Sequence, residues 1–220
     1  SVAEHNAYLS AIYNHGYNNI IITGGSGNGA AATTPTSLLR HISKEYPAIF
    51  QGAVFIPTRG LVSVDEPDEM YEPRKMAQKE ASGAEFHATQ IMFIGKHLDT
   101  WAKSYIDLCS KSGTAPKRVF IASTPIMPES ENPNRPGTIN YLRDTLRVVI
   151  SEEFERRLRR ENDITSASVR HSAEMMENFV KKYFRNIPLG IEISCVGSIN
   201  ASVDLFGKLR DALKGYSNNV

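Results

Sequence analysis

Short apolar runs alternate with longer stretches of helical periodicity along the whole chain. Ala3 to His15 sets Tyr8, Leu9, Ala11 and Ile12 on one helical face, and Gly16 ends it. Asn18 to Thr23 carries Ile20, Ile21 and Ile22, a β-branched run suited to a strand covered on both faces. A glycine-rich turn, Gly24 to Gly29, leads to Thr34-Pro35, where Thr34 is a natural N-cap and proline fits the first helical position. The helix that follows runs through Leu38, Leu39, His41 and Ile42.

The alternation then repeats. Ala53 to Ile56 reads as a strand stopped by Pro57, Pro73 to Ala81 as a helix, and Gly83 to Phe93 contains the third strand. Leu98 to Cys109 is amphipathic, with Leu98, Trp101, Ala102, Tyr105, Ile106 and Cys109 on one side. Arg118 to Ala122 is the fourth strand. Helical stretches near Thr138 to Leu146, Ser151 to Arg160 and Ser166 to Arg185 separate it from the last strand, GIEISCV, in which Ile193 to Val196 sits. A final helix, Asp204 to Leu213, buries Leu205, Leu209 and Leu213, with Phe206 and Ala212 beside them. Five strands alternating with helices predict a parallel α/β sheet. An open doubly wound sheet and a segment of a barrel both satisfy that pattern.

Composition narrows the partners more than the fold. The 220 residues suit one domain, and a formal net charge of +1 favours neither nucleic acid nor an anionic membrane surface. The basic run Arg156 to Arg160 is offset by Glu152, Glu153, Glu155 and Glu161, as on a solvated helix face. No apolar run approaches the roughly 18 residues of a membrane span. The opening residues show no leader pattern, and Ser1 in place of Met is what a processed or truncated product gives. Cys109 and Cys195 form neither a disulfide framework nor a metal motif, which fits a reducing compartment, cytoplasm or mitochondrial matrix. His87 and His97 have no third ligand near them in the sequence, so no metal is expected.

The stretch Lys79 to Phe93, KEASGAEFHATQIMF, is the most distinctive. With its flanks it resembles the methylenetetrahydrofolate reductase family, in which a lysine-bearing helix leads through an alanine-glycine turn into a strand ending in Thr-Gln. The collinear matches are the Gly16 to Thr23 strand before a glycine loop, Phe55-Ile56-Pro57, the helix with Cys109 and Gly113, RVFIASTPIMP, and the tail Leu189 to Leu213. The resemblance implies a (β/α)8 TIM-barrel-like fold, here incomplete. Residues 1–220 would form one partial barrel domain of about five parallel strands, corresponding to barrel strands 4–8. Strands one to three have no counterpart, so the resemblance implies a protein partner or a further N-terminal segment over the open barrel edge.

The family reduces 5,10-methylenetetrahydrofolate with NAD(P)H, usually through FAD. The implied sites lie at the C-terminal ends of strands. Gln90 matches the glutamine that hydrogen-bonds folate and the flavin edge. Lys79 matches a lysine that reaches flavin phosphate or ribose, and Glu72 and Lys75 fall at other flavin-contact positions, Lys75 in place of the usual amide. Thr23, Gly25 and Ser26 begin the loop that would approach a cofactor phosphate, and Ser26 stands where the family has the aspartate that contacts the pterin. Arg59 follows the proline after the second strand and suits a phosphate or carboxylate, or solvent. Ser123-Thr124 and Ser198 to Asn200 end the remaining strands. The family's proton-donating glutamate belongs to strand one. Two functions therefore stand side by side: a divergent reductase acting on a folate, and a non-catalytic reductase-derived subunit of a larger assembly, with a mitochondrial one among the settings. Direct nucleic-acid or membrane binding is expected of neither.

Overall fold

The computed structural model describes residues 2–24, 34–62, 66–128, 137–194 and 199–216, with side chains from residue 6 onward. Helix α1 (Val2–Asn14) precedes strand β1 (Asn19–Ile22). The next units are α2 (Pro35–Glu45), β2 (Phe50–Phe55), α3 (Tyr71–Glu80), β3 (Phe86–Thr89), α4 (Gly95–Ser112) and β4 (Arg118–Ala122). After β4 come α5 (Gly137–Asn140), a π-helical turn (Tyr141–Thr145), α6 (Glu152–Arg160) and α7 (Ile164–Tyr183). Strand β5 (Leu189–Glu192) and α8 (Ile199–Ala212) complete the series. Local signals behave as their chemistry dictates: Thr34 Oγ1 accepts from the Ser37 N–H with Pro35 in the first turn, and Gly113 closes α4 at a φ of 65°.

All five strands pair in parallel, each with its neighbour in sequence, in the order β1-β2-β3-β4-β5. A doubly wound sheet reverses its strand order at a switch point, and a barrel does not. The unbroken order makes this an incomplete TIM-barrel-like sheet. The helices lie on one face. Phe55, Val119 and Ile121 pack there with Met76 of α3, Leu98, Trp101 and Tyr105 of α4, Phe179 of α7 and Leu205 of α8. Leu9 of α1 and Leu39 and Ile42 of α2 cover Ile22 and Ala53 at the β1 end.

The other face would be the barrel interior, and its aromatic rings are seated by size matching. Phe50 and Phe86 stack at 5.1 Å, and Phe86 and Phe120 meet edge to face at 5.6 Å. Gly52 sits beside the Phe86 ring and Gly190 beside the Phe120 ring, where a Cβ on either would collide with the aromatic carbons. A third cluster joins Phe93 and Met127 to Ile139, Leu142, Val148, Phe154 and Leu158, so the α5–α6 insertion caps the ends of β3 and β4.

Three sequence expectations change. The last strand is Leu189–Glu192 and so ends before Ile193 instead of running through GIEISCV; Ile191 packs into the helix-side core while Gly190 makes room for Phe120. Tyr8 is 68% exposed and Phe206 57% exposed, so neither belongs to the packed face assigned to it. Tyr8 instead joins Tyr17 and Ile21 as exposed apolar surface near the β1 edge, and Phe206 joins Ile199 and Val203 on α8 beside β5. Among the described residues no helix is long and apolar enough to cross a membrane.

Candidate functional site

A cleft of about 390 Å³ opens at the C-terminal ends of the strands, lined by Thr23, Ile56, Arg59, Lys79, Gln90, Ala122 and Glu192 among others. It gathers Gln90, Thr23, Arg59 and Lys79 of the expected residues in one place. Gly25 and Ser26, with Ser198, lie outside the described residues. Asn200 is exposed in the first turn of α8.

Glu72 and Lys79 are seven residues apart, two turns of α3, so both turn toward β2 with Met76 of the core between them. Glu72 is 1% exposed. Its Oε1 accepts the Ile56 N–H at 3.1 Å, just beyond the last residue of β2, and lies 3.7 Å from Lys79 Nζ. Lys79 Nζ donates to the Val54 carbonyl at 2.7 Å. Arg59 Nη1 stands 3.6 Å from Glu72 Oε2, which accepts no hydrogen bond among the described residues. Burial pushes the Lys79 ammonium below its usual range, and the Glu72 carboxylate opposes that push. The three charges form a chain from the interior outward. Glu72 is innermost, Lys79 is nearly enclosed, and the Arg59 guanidinium is half in solvent. Gly60, at a φ of 84°, makes the turn that brings Arg59 back over β2; a side chain there would meet both Tyr71 and the Asp68 carbonyl.

Gln90 follows β3. Its backbone N–H donates to the Phe55 carbonyl, and its side-chain Nε2 donates to the Leu146 carbonyl at 3.0 Å. Leu146 directly follows the π-helical turn, and Arg147 beyond it has a left-handed φ of 55°. The capping insertion is thus pinned to Gln90. Oε1 of Gln90 accepts nothing among the described residues, and Gln90 lines the cleft, so an acceptor remains available there.

Other polar residues at the strand ends serve the backbone. Thr89 Oγ1 accepts the Ala122 N–H at 2.7 Å. Ser123 Oγ accepts the Ser194 N–H, and Thr124 Oγ1 donates to the Met92 carbonyl. These hydroxyls satisfy main-chain groups where the ladders end. His87 is on the helix side of β3, with Nε2 2.9 Å from Glu80 Oε1, and the Tyr105 hydroxyl donates to the same oxygen at 2.7 Å. Burial raises the Glu80 pKa, but the hydrogen bonds from His87 and Tyr105 outweigh it and the net shift is downward. His97 is half-buried on α4, and burial lowers its pKa. Among the described residues no group of three His, Cys, Asp or Glu could hold a metal ion. Lys75 lies over the Tyr71 ring, 5.9 Å from its centroid.

Glu192 is the residue that sequence reasoning missed. With the last strand read as GIEISCV, its end fell at Val196 and the candidates at Ser198 to Asn200; in the fold Glu192 ends β5 and lines the cleft. The available signal was Gly190. A glycine two residues before a glutamate marks the interior side of the strand when a large ring needs room there.

No protein-family model matches the chain. No curated protein matches it either. Among solved structures it is similar to an uncharacterized protein from Clostridium thermocellum described as binding two copies of 5-methyl-5,6,7,8-tetrahydrofolic acid, with a TM-score of 0.68 and 16% identity over 88% of this chain. The match takes in 63% of that chain. The likeness is one of fold: consecutive parallel βα units wound as in a barrel.

Proposed function

We propose that this chain binds a reduced folate in the cleft at the C-terminal ends of β2 to β5. The observation that carries the reading is the open polar row there. Gln90 offers a free amide oxygen beside Ala122, with Arg59 at one end of the same cleft and Glu192 at the other. A flat ring with donors and acceptors on its edges suits such a site. Further support comes from the Clostridium thermocellum neighbour, which shares the winding and is described as binding 5-methyltetrahydrofolate. The test is isothermal titration of the purified chain with 5-methyltetrahydrofolate. Saturable binding is expected, and absence of binding at millimolar ligand removes the reading.

The finer reading is reduction of 5,10-methylenetetrahydrofolate with NAD(P)H. It rests on Gln90, the one family position whose side chain keeps a free polar atom facing the cleft. FAD fits the remaining positions poorly. Lys79 is committed to Val54 and Glu72, and Glu72 is enclosed beneath it, so neither is free to hold a flavin phosphate or ribose. The same observation favours the alternative, a non-catalytic subunit that keeps the ligand cleft within a larger assembly. Exposed Tyr8, Tyr17 and Ile21 at the β1 edge, and Ile199, Val203 and Phe206 beside β5, support a protein covering at both ends of the sheet. An absorbance spectrum and an NADH-oxidation assay with 5,10-methylenetetrahydrofolate separate the two. Folate binding without turnover leaves only the subunit reading.

A further inference from the structure

The strand register gives the cleft a direction. Ala88 pairs with Phe120, and Ala122 with Glu192. Two residues beyond Ala88, Gln90 therefore comes level with Ala122, and Gln90, Ala122 and Glu192 form one row across three adjacent strands on the interior face. Neighbouring strands lie about 4.8 Å apart, so an amide and a carboxylate face each other across about 10 Å, with only the Ala122 methyl group between them. The row beneath holds Ala88, Phe120 and Gly190, an aromatic floor with small residues on either side. The cations stand at the opposite end, over β2. Arg59 is partly satisfied by Glu72, and Lys79 is held by the Val54 carbonyl and Glu72. Among the described residues Glu192 makes no ion pair, and its carboxylate is exposed to the cleft. The cleft is thus an acceptor at β5, an amide in the middle and a cation at β2.

We propose that Glu192 grips the donor edge of a 2-amino-4-oxopyrimidine ring, such as the one in a reduced pterin, lying over Ala122 between Glu192 and Gln90. This rests on the folate-binding reading and assigns the orientation of the ligand. A carboxylate accepts two parallel N–H bonds, and the ring presents two adjacent donors, the N3–H and the 2-amino group. The free Gln90 Oε1 meets the polar edge further in. The rest of the ligand then points along the row toward β2, where Arg59 can face its anionic groups.

The experiment titrates wild type, Glu192→Gln and Glu192→Asp with three probes: 5-methyltetrahydrofolate, 6-methyltetrahydropterin and p-aminobenzoylglutamate, which lacks the pterin. The assignment predicts that Glu192→Gln weakens both pterin-bearing probes about 30-fold, because an amide presents a donor where the ring also donates. Glu192→Asp recovers part of the loss. Binding of p-aminobenzoylglutamate is the same in all three proteins. Equal affinity of wild type and Glu192→Gln for the pterin-bearing probes overturns the assignment while leaving the folate reading intact. If wild type binds the methylpterin but not the folate, the folate reading falls, and the effect of Glu192→Gln on the methylpterin still decides the assignment. Binding of neither overturns both.

Discussion

Two sets of polar side chains meet at the strand ends, and they are used in opposite ways. Glu72, Lys79 and Arg59 are linked to one another and to β2, with Glu72 enclosed and Lys79 donating to a strand carbonyl. Gln90 and Glu192, one and three strands further along, each keep an unused acceptor at the cleft. The first set holds the end of β2 to α3. The second leaves its hydrogen-bonding capacity for something outside the chain. Residue type does not distinguish them, since each contains a glutamate. What differs is whether the carboxylate faces a helix packed on the sheet or the open interior side.

The largest effect is expected at Glu72. Glu72→Ala strands the Lys79 ammonium in the interior and leaves the Ile56 N–H unpaired, costing about 3 kcal/mol in urea unfolding. The double variant Glu72→Ala with Lys79→Met is expected to recover part of that loss, because no isolated charge remains. If the single and double variants unfold together, the charges are not coupled as described.

Next in size is the network on the helix side of β3. Tyr105→Phe removes the donor to Glu80 and the acceptor for the Lys117 N–H, for a loss of about 1–2 kcal/mol. Its partner gives a pH signature. The folded-state pKa of Glu80 lies below its ordinary 4.5, so the unfolded chain takes up the proton first on acidification. The stability Glu80 contributes is complete above that ordinary value and is lost as pH falls through the folded-state value. Glu80→Gln is expected to flatten this acid limb relative to wild type, measured as unfolding midpoints at a series of pH values. An unchanged limb would place the acid sensitivity elsewhere.

The smallest effect on stability belongs to the second set. Gln90→Ala changes the unfolding free energy by less than about 1 kcal/mol, since it removes one exposed hydrogen bond to Leu146, but it weakens 5-methyltetrahydrofolate about tenfold. A variant that loses stability and keeps affinity would reverse the roles given to the two sets.

The helices and four of the strands were legible because their signals are local. The Ile20 to Ile22 run, the Thr34-Pro35 start and the Gly113 stop each act over a few residues. Strand order was not legible from periodicity, because two arrangements of the same βα units have the same pattern along the chain; the resemblance supplied the barrel, and the pairing supports it. The last strand was read as running to Val196 because nothing in GIEISCV marks a stop at Glu192, and only packing separates Ile191, facing the helices, from Gly190, facing Phe120. Placing the strand end at Val196 hid Glu192 as a residue of the rim. Lys79 was visible as a lysine on a helix, but its engagement with Val54 depends on α3 lying across β2, which no spacing along the chain reports.

The Phe50, Phe86 and Phe120 rings have a further consequence. They line the interior face below the row that holds Gln90 and Glu192, and Gly52 and Gly190 let them seat close to the sheet. The recess above them therefore has an aromatic floor. Its depth is set by the ring edges and not by the length of the strands. Enlarging Gly52 or Gly190 would push a ring upward and make the vessel shallower without touching any polar group that a guest would meet.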